Sequence, residues 1–124
     1  MLTTTKETDV QYMLLIYSSE QAWQSASEAE RQEMMGEYRK LAEDLQKSGV
    51  LLAADELDSA STAKTVTVQN GDRLVTDGPF AETKETLGGF YLVEADSEEQ
   101  ALGWAARIPA ARHGKVEVRP VIQR

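Results

Sequence analysis

The sequence predicts an α+β fold of the ferredoxin-like type, in which β-α-β-β-α-β elements are interrupted by an inserted hairpin. Two segments with helical periodicity separate four segments that are typical of strands. An alternating segment around Asn70-Gly71 adds the hairpin. The length of 124 residues fits one domain with a core of its own.

The first strand is predicted at "YMLLIY", Tyr12–Tyr17, because a continuous apolar run is typical of a strand covered on both faces. A helix follows, since Ser27 and Glu30 have the spacing of a capping box, in which each side chain bonds a free backbone N–H of the first turn. Gly49 is the expected left-handed cap at its end. Apolar residues recur along this helix at helical spacing. They are Met34, Tyr38, Leu41 and Leu45, with Met35 and Ala42 beside them.

The remaining elements follow the same signals. "VLLAADEL", Val50–Leu57, is the second strand, and "KTVTVQNGDRLVT" is a hairpin because Asn-Gly tolerates the positive φ angles of a tight turn. "GGFYLVEA" is the next strand, and its two glycines suggest a bulge or a close approach of another group. Ser97 and Gln100 open a second helix, which Pro109 ends, and "KVEVRPV" is the last strand.

The strand polarity predicts a homodimer. "YMLLIY" and "GFYLV" are apolar on both faces, whereas two right-handed crossovers place both helices on one face of the sheet. The second face therefore needs another cover. A twofold dimer with the sheets packed face to face supplies it.

The composition excludes several classes of function. A formal net charge of −8 argues against nucleic acids and anionic membranes as partners. No apolar run approaches the roughly 20 residues of a membrane helix, and the start lacks the apolar region of a signal peptide. We expect a flexible tail over residues 1–10, a single domain over residues 11–124 and a cytoplasmic location. With no cysteine and a single histidine, the sequence excludes zinc-thiolate and multi-histidine metal sites. Metal binding by Asp77, Glu82 and Glu85 stays open, but their spacing has no ligand signature, so we expect no metal site. We also expect no cofactor.

The most specific stretch is "DGPFAETKE", which begins at Asp77 and precedes the strand "GGFYLV". On this motif, on "YMLLIY" and "EYRKLAEDLQKSG", and on the segment from Thr65 to Val121, the chain resembles the DGPF family, a branch of the YCII-related proteins. The resemblance implies a dimeric α+β barrel. It also implies a family without a generally established reaction, and a functional link to extracytoplasmic-function sigma factors.

The resemblance departs from one family pattern. In some YCII-related proteins, a histidine on the first helix looks as though it pairs with an aspartate to form a catalytic dyad. That histidine would fall near Glu37 or Tyr38, and the first helix here holds no histidine. The dyad is therefore not expected. Tyr38 is expected in the core with its hydroxyl reaching a cleft. The alternative is that Tyr38 or Glu37 replaces the missing histidine.

The candidate catalytic residues are Asp77 and His113. Asp77 serves as a general base or acid if burial raises its pKa, or as a turn residue that accepts backbone N–H groups. His113 is an acid–base candidate because imidazole titrates near neutrality, or else a polar loop residue. The candidate ligand-binding residues, which alternatively form core or solvated surface, are Tyr38, Phe80, Glu82, Lys84, Glu85 and Arg112.

Three functions stay open from the sequence. The first is an enzyme that acts on a small polar or cyclic metabolite by cofactor-free isomerisation or elimination, with Asp77 as base and Lys84, Glu82 or Tyr38 positioning the substrate. The second is a non-catalytic module that senses a ligand in the same pocket, linked to sigma-factor regulation. The third is an interaction dimer without a ligand.

Overall fold

The computed structural model describes residues 9–124 and forms an α+β fold with antiparallel sheets. The elements in chain order are β1 (Val10–Ser18), α1 (Glu20–Ser25), α2 (Glu28–Ser48), β2 (Leu51–Glu56), a 3₁₀ turn (Ala60–Thr62), β3 (Lys64–Gln69), β4 (Asp72–Asp77), β5 (Thr86–Ala95), α3 (Glu98–Ala106), α4 (Ala110–His113) and β6 (Lys115–Pro120). The predicted tail falls mainly on residues 1–8, which lie outside the described part, and Val10 already belongs to β1.

The main sheet has the strand order β2-β5-β1-β6, and every neighbouring pair is antiparallel. This arrangement is compatible with the ferredoxin-like fold that the sequence predicts. One face of the sheet packs against the helices and forms the core. Its largest fully buried side chains are Leu14, Leu41, Leu45, Val93, Ile108 and Pro109. No helix within residues 9–124 has the length and apolar character needed to cross a lipid bilayer.

The helix ends confirm the capping signals. Ser27 Oγ accepts the Glu30 N–H at 3.1 Å, and Glu30 Oε1 accepts the Ser27 N–H at 2.9 Å, so the capping box is complete. Gly49 ends α2 in the left-handed conformation with φ of 70°. At α3, Ser97 Oγ accepts the Gln100 N–H, but Gln100 Oε1 accepts from Asp96 instead of Ser97, so the reciprocal bond is shifted by one residue.

Helix α1 was not predicted from the sequence. Ser19 caps it by accepting the Ala22 N–H at 3.2 Å, and no residue of the helix is buried. Arg31 of α2 holds its far end, because its guanidinium donates to the carbonyl oxygens of Trp23 and Gln24 at 3.0 and 2.6 Å. A helix that buries no residue and is held by polar contacts of this kind leaves no apolar period for sequence analysis to detect.

The second face of the main sheet is only partly covered by the chain itself. Along β1 the buried Tyr12, Leu14 and Ile16 alternate with half-buried Met13, Leu15 and Tyr17. In β5 the residues opposite the second set are Leu92, Phe90 and Leu87. The apolar character of both faces, which the sequence analysis noted, is therefore present. We call the surface formed by Met13, Leu15, Phe90 and Leu92 the open sheet face.

The paired glycines of β5 serve two different purposes. Ile16 pairs with Gly89 and Tyr17 with Leu87, so Gly88 is the extra residue of a β-bulge. A Cβ on Gly89 would lie 2.9 Å from the carbonyl oxygen of Asp55 in β2, which is too close for any side chain. Both options left open by the sequence, a bulge and a close approach, are realised, one at each glycine.

Candidate functional site

An open cleft lies where the ends of β1, β5 and β6 meet. It consists of two adjoining hollows of about 590 and 470 Å³, which share Glu85 and Lys115. The larger hollow is also lined by Ser19, Ala22, Thr83, Lys84 and His113, and the smaller one by Tyr17, Val116 and Glu117. We refer to both hollows together as the cleft.

Gly114 brings the walls of the cleft together. A Cβ at this position would lie 2.2 Å from the Tyr17 carbonyl oxygen and 3.2 Å from Glu85 Oε2. Only glycine therefore allows the turn between α4 and β6 to lie directly against the end of β1. As a result, His113 before it and Lys115 after it both face the cleft.

The carboxylate of Glu85 is fixed at the centre of the cleft. Lys115 Nζ donates to Glu85 Oε1 at 2.8 Å, and the Glu85 side chain is 27% exposed. The hydroxyl of Thr83 donates to the Glu85 carbonyl oxygen at 2.5 Å and so stiffens the loop that leads into β5. The final residues of the "DGPFAETKE" motif thereby form one wall of the cleft.

The two ammonium groups of Lys84 and Lys115 outnumber the carboxylates around the larger hollow. Lys84, Lys115 and His113 line it together with a single carboxylate, Glu85. Within residues 9–124, Lys84 has no ion-pair partner. Glu30, at the start of α2, lies near His113. The hydrogen bond with the Ser27 backbone is the main cause that lowers the pKa of Glu30, and the electrostatic interaction with His113 lowers it to a smaller extent.

The first part of the motif lies away from the cleft in the single chain. Asp77 is the last residue of β4; its carboxylate is 89% exposed and accepts from Lys64 Nζ at 2.5 Å. Phe80 is 91% exposed, and Glu82 is also exposed. Among residues 9–124, the lining of the two hollows includes none of these three side chains. Their expected roles in catalysis and binding stay predictions.

The Asp-Gly-Pro turn also has a structural role. Gly78 adopts φ of 92°, a left-handed conformation that favours glycine. Its N–H donates to the Ala63 carbonyl oxygen at 2.7 Å, and its own carbonyl accepts from Thr65 Oγ1 at 2.8 Å. The turn therefore fastens the end of β4 to the start of β3.

Arg112 in α4 and Tyr38 in α2 are outside the set of residues that line the cleft. Arg112 donates to Glu37 Oε2 at 2.6 Å and joins α4 to α2. Tyr38 packs against the core near Tyr91, and burial raises the pKa of its phenol. Burial, and to a smaller extent the neighbouring Tyr38, raises the pKa of Tyr91 to about 12. Neither predicted residue lines the cleft, and their predicted contacts with a ligand are untested.

Sequence reasoning missed Lys115, Tyr17 and Ser19 as cleft residues. Lys115 is separated from Glu85 by 30 residues, so no local pattern connects them. The string "HGK" could have indicated this part of the site, because a glycine between two polar residues stands directly before a strand. Among residues 9–124, no three histidine or acidic side chains converge as ligands of a metal ion.

Comparison with known proteins gives a consistent assignment. The sequence model of the YCII-related domain matches residues 10–124, nearly all of the chain. An uncharacterized protein of Rhizobium meliloti (strain 1021) is 34% identical over 112 residues, which cover 89% of this chain and 90% of that protein.

Proposed function

Since the chain belongs to the YCII-related domain family, we propose that it shares the family fold and binds a small carboxylate metabolite in the cleft, where it moves a proton without a cofactor. The proposal rests on one observation: two lysines, Lys84 and Lys115, line a hollow of an acidic chain, and His113 lines the same hollow beside them. We also propose, on the basis of the sequence Asp77–Phe80, that the chain belongs to the DGPF branch of this family.

The charge pattern selects an anion as the ligand. The chain carries a net charge of −8, so most of its surface repels anions. The larger hollow is an exception because, in the described part of the chain, the ammonium of Lys84 has no ion-pair partner and that of Lys115 pairs with Glu85. Ser19 adds a hydroxyl group, which can donate to an oxygen atom of the ligand while it accepts the Ala22 N–H.

His113 is the group proposed to move the proton. It makes no hydrogen bond to another side chain within residues 9–124, and so its ring is accessible to a ligand. Imidazole is the side chain used most often for proton transfer near neutral pH. In an isomerisation it takes a proton from a carbon next to the substrate carbonyl and returns it to another carbon. No external reactant is then consumed.

A second subunit completes the proposal. Met13 is opposite Leu92, and Leu15 is opposite Phe90, so the open sheet face has an apolar centre. Charged residues of β6 lie along one side of it, as in the polar rim of an interface. Tyr17 continues the same row along β1 and lines the cleft. We therefore infer that a dimer packed through this face, in a dimeric α+β barrel, would shield the cleft from water.

The experiment is a thermal-shift screen of small hydroxy and keto carboxylates against the wild-type protein. A ligand at 100 times its Kd raises the free energy of unfolding by about 2.7 kcal/mol. We expect Lys84→Met and Lys115→Met to lose that shift. Lys47→Met, a lysine in the last turn of α2, is the matched control and keeps it.

Proton transfer is measured separately, as uptake of deuterium from heavy water into each compound that binds. We expect His113→Gln to bind the compound and to abolish the exchange. Asp77→Asn in the same assay tests the predicted role of Asp77 as the base. Binding without exchange in the wild-type protein would reduce the proposal to a binding function, and absence of any thermal shift would reject the carboxylate site.

A further inference from the structure

The hairpin formed by β3 and β4 is separate from the main sheet and exposes apolar side chains. Within residues 9–124 its strands pair only with each other, so each has a free edge. Val66, Val68 and Val75 are 56%, 68% and 52% exposed. Val66 pairs with Val75, and Val68 is two residues further along, so the three share one face. A two-stranded hairpin is marginal in water unless something packs against it.

The register of the hairpin shows which backbone groups are free. The two-residue turn Asn70-Gly71 makes Gln69 and Asp72 a hydrogen-bonded pair. Hydrogen-bonded and non-hydrogen-bonded pairs then alternate along the hairpin. The hydrogen bond from the Gly78 N–H to the Ala63 carbonyl oxygen fits this alternation. The N–H and C=O groups of Val66 and Val68 consequently point outward from the free edge of β3.

The two edges of the hairpin differ in their protection. Charged side chains that discourage strand addition stand on β4 at Asp72, Arg73 and Asp77. By contrast, residues 65–71, "TVTVQNG", carry no charge and no proline, and the first four of them are all β-branched. Beyond its first residue, Lys64, which pairs with Asp77, the edge of β3 therefore lacks the charges that protect β4.

We propose that a second copy of this chain pairs with the free edge of β3, antiparallel and centred on Thr67. In that register Val66 of each copy is opposite Val68 of the other. The outward N–H and C=O groups of these two residues then form hydrogen bonds with each other. The strand is self-complementary in this arrangement, as a twofold contact requires. Two copies that each carry a charge of −8 also approach most easily along a neutral strip. This contact lies outside the cleft and is separate from the open sheet face.

The chain contains no cysteine, which allows a direct test by cross-linking. At the centre of the proposed contact Thr67 faces its own copy as a non-bonded pair, with Cα atoms about 4.5 Å apart. That separation suits a disulfide. Thr67→Cys should form a covalent dimer under mild oxidation. The matched control is Leu74→Cys, which is opposite Thr67 on the protected edge and is 45% exposed.

We expect Thr67→Cys to cross-link at least about tenfold faster than Leu74→Cys, because groups held together have effective concentrations in the millimolar range. Adding Val68→Pro should abolish the difference, since proline removes an outward N–H of β3. Adding Arg73→Pro, which removes the corresponding N–H of β4, should preserve it. Equal cross-linking rates of the two cysteine variants, or equal effects of the two prolines, would overturn the proposal.

Discussion

Lys115 Nζ donates a hydrogen bond to Glu85 Oε1 at 2.8 Å and so connects the first residue of β6 to the loop before β5. Gly114 makes this contact possible, because its lack of a side chain lets the α4–β6 turn lie against Glu85 and the end of β1. The last charged residue of the "DGPFAETKE" motif is therefore positioned by a distant segment, and the two segments together form the cleft.

Glu85→Gln should strengthen the binding of a carboxylate ligand. The substitution removes the one negative charge beside Lys115 in the larger hollow, so that ammonium becomes available to the ligand. Because the ion pair is partly exposed, its loss costs only about 0–1 kcal/mol of stability. Calorimetric titration should give a lower Kd. Asp72→Asn on the hairpin makes the same change in total charge and should leave Kd as it is. A higher Kd for Glu85→Gln would instead identify Glu85 as a direct ligand contact.

Gly114→Ala should destabilise the fold and distort the cleft. The new Cβ would lie 2.2 Å from the Tyr17 carbonyl oxygen, so the backbone has to move. Steric overpacking of this kind typically costs about 1–3 kcal/mol, measurable by urea unfolding. Gly103→Ala in α3 is the control, because its Cβ meets nothing within 4 Å and alanine favours a helix by up to about 1 kcal/mol. An unchanged midpoint for Gly114→Ala would contradict the close approach.

Much of the fold could be predicted because its signals are local. The Ser27–Glu30 capping box, Gly49 and the Asn70-Gly71 turn each act within a few residues, and all are present in the structure. Helix α1 escaped prediction because a side chain from elsewhere, Arg31, secures it by bonds to backbone carbonyl groups. Such bonds leave no mark in the sequence of the helix itself.

The candidate site could be predicted only in part. The motif pointed to Lys84 and Glu85, and the single histidine pointed to His113, and these three do line one hollow. The motif was expected to act as a unit, but it divides at the loop after β4, and Asp77 pairs instead with Lys64 across the hairpin. A linear pattern records which residues occur together and carries no information on which way the chain turns between them.

Leu15→Asp should prevent dimerisation through the open sheet face. Leu15 is half-buried in the centre of that face opposite Phe90, and a carboxylate there would be desolvated without a partner in the proposed dimer. Sedimentation equilibrium should show a monomer, or only the weaker association through the hairpin. Leu102→Asp on α3, where the leucine is 43% exposed, is the control and should leave the mass unchanged. Equal masses for wild type and Leu15→Asp would exclude this interface.

The stability of the protein should fall in alkaline solution because of Tyr91. Burial raises the pKa of this phenol to about 12 in the folded chain, from its ordinary value of 10.0. Between these values the unfolded chain releases the proton while the folded chain retains it, so the free energy of unfolding decreases as pH rises. The contribution of Tyr91 is thus fully present below pH 10 and lost by about pH 12. Tyr91→Phe should flatten this part of the urea-unfolding profile, and Tyr38→Phe, whose pKa is also raised by burial, should flatten it in the same direction. An unchanged slope in Tyr91→Phe would show that its hydroxyl reaches water in the folded protein.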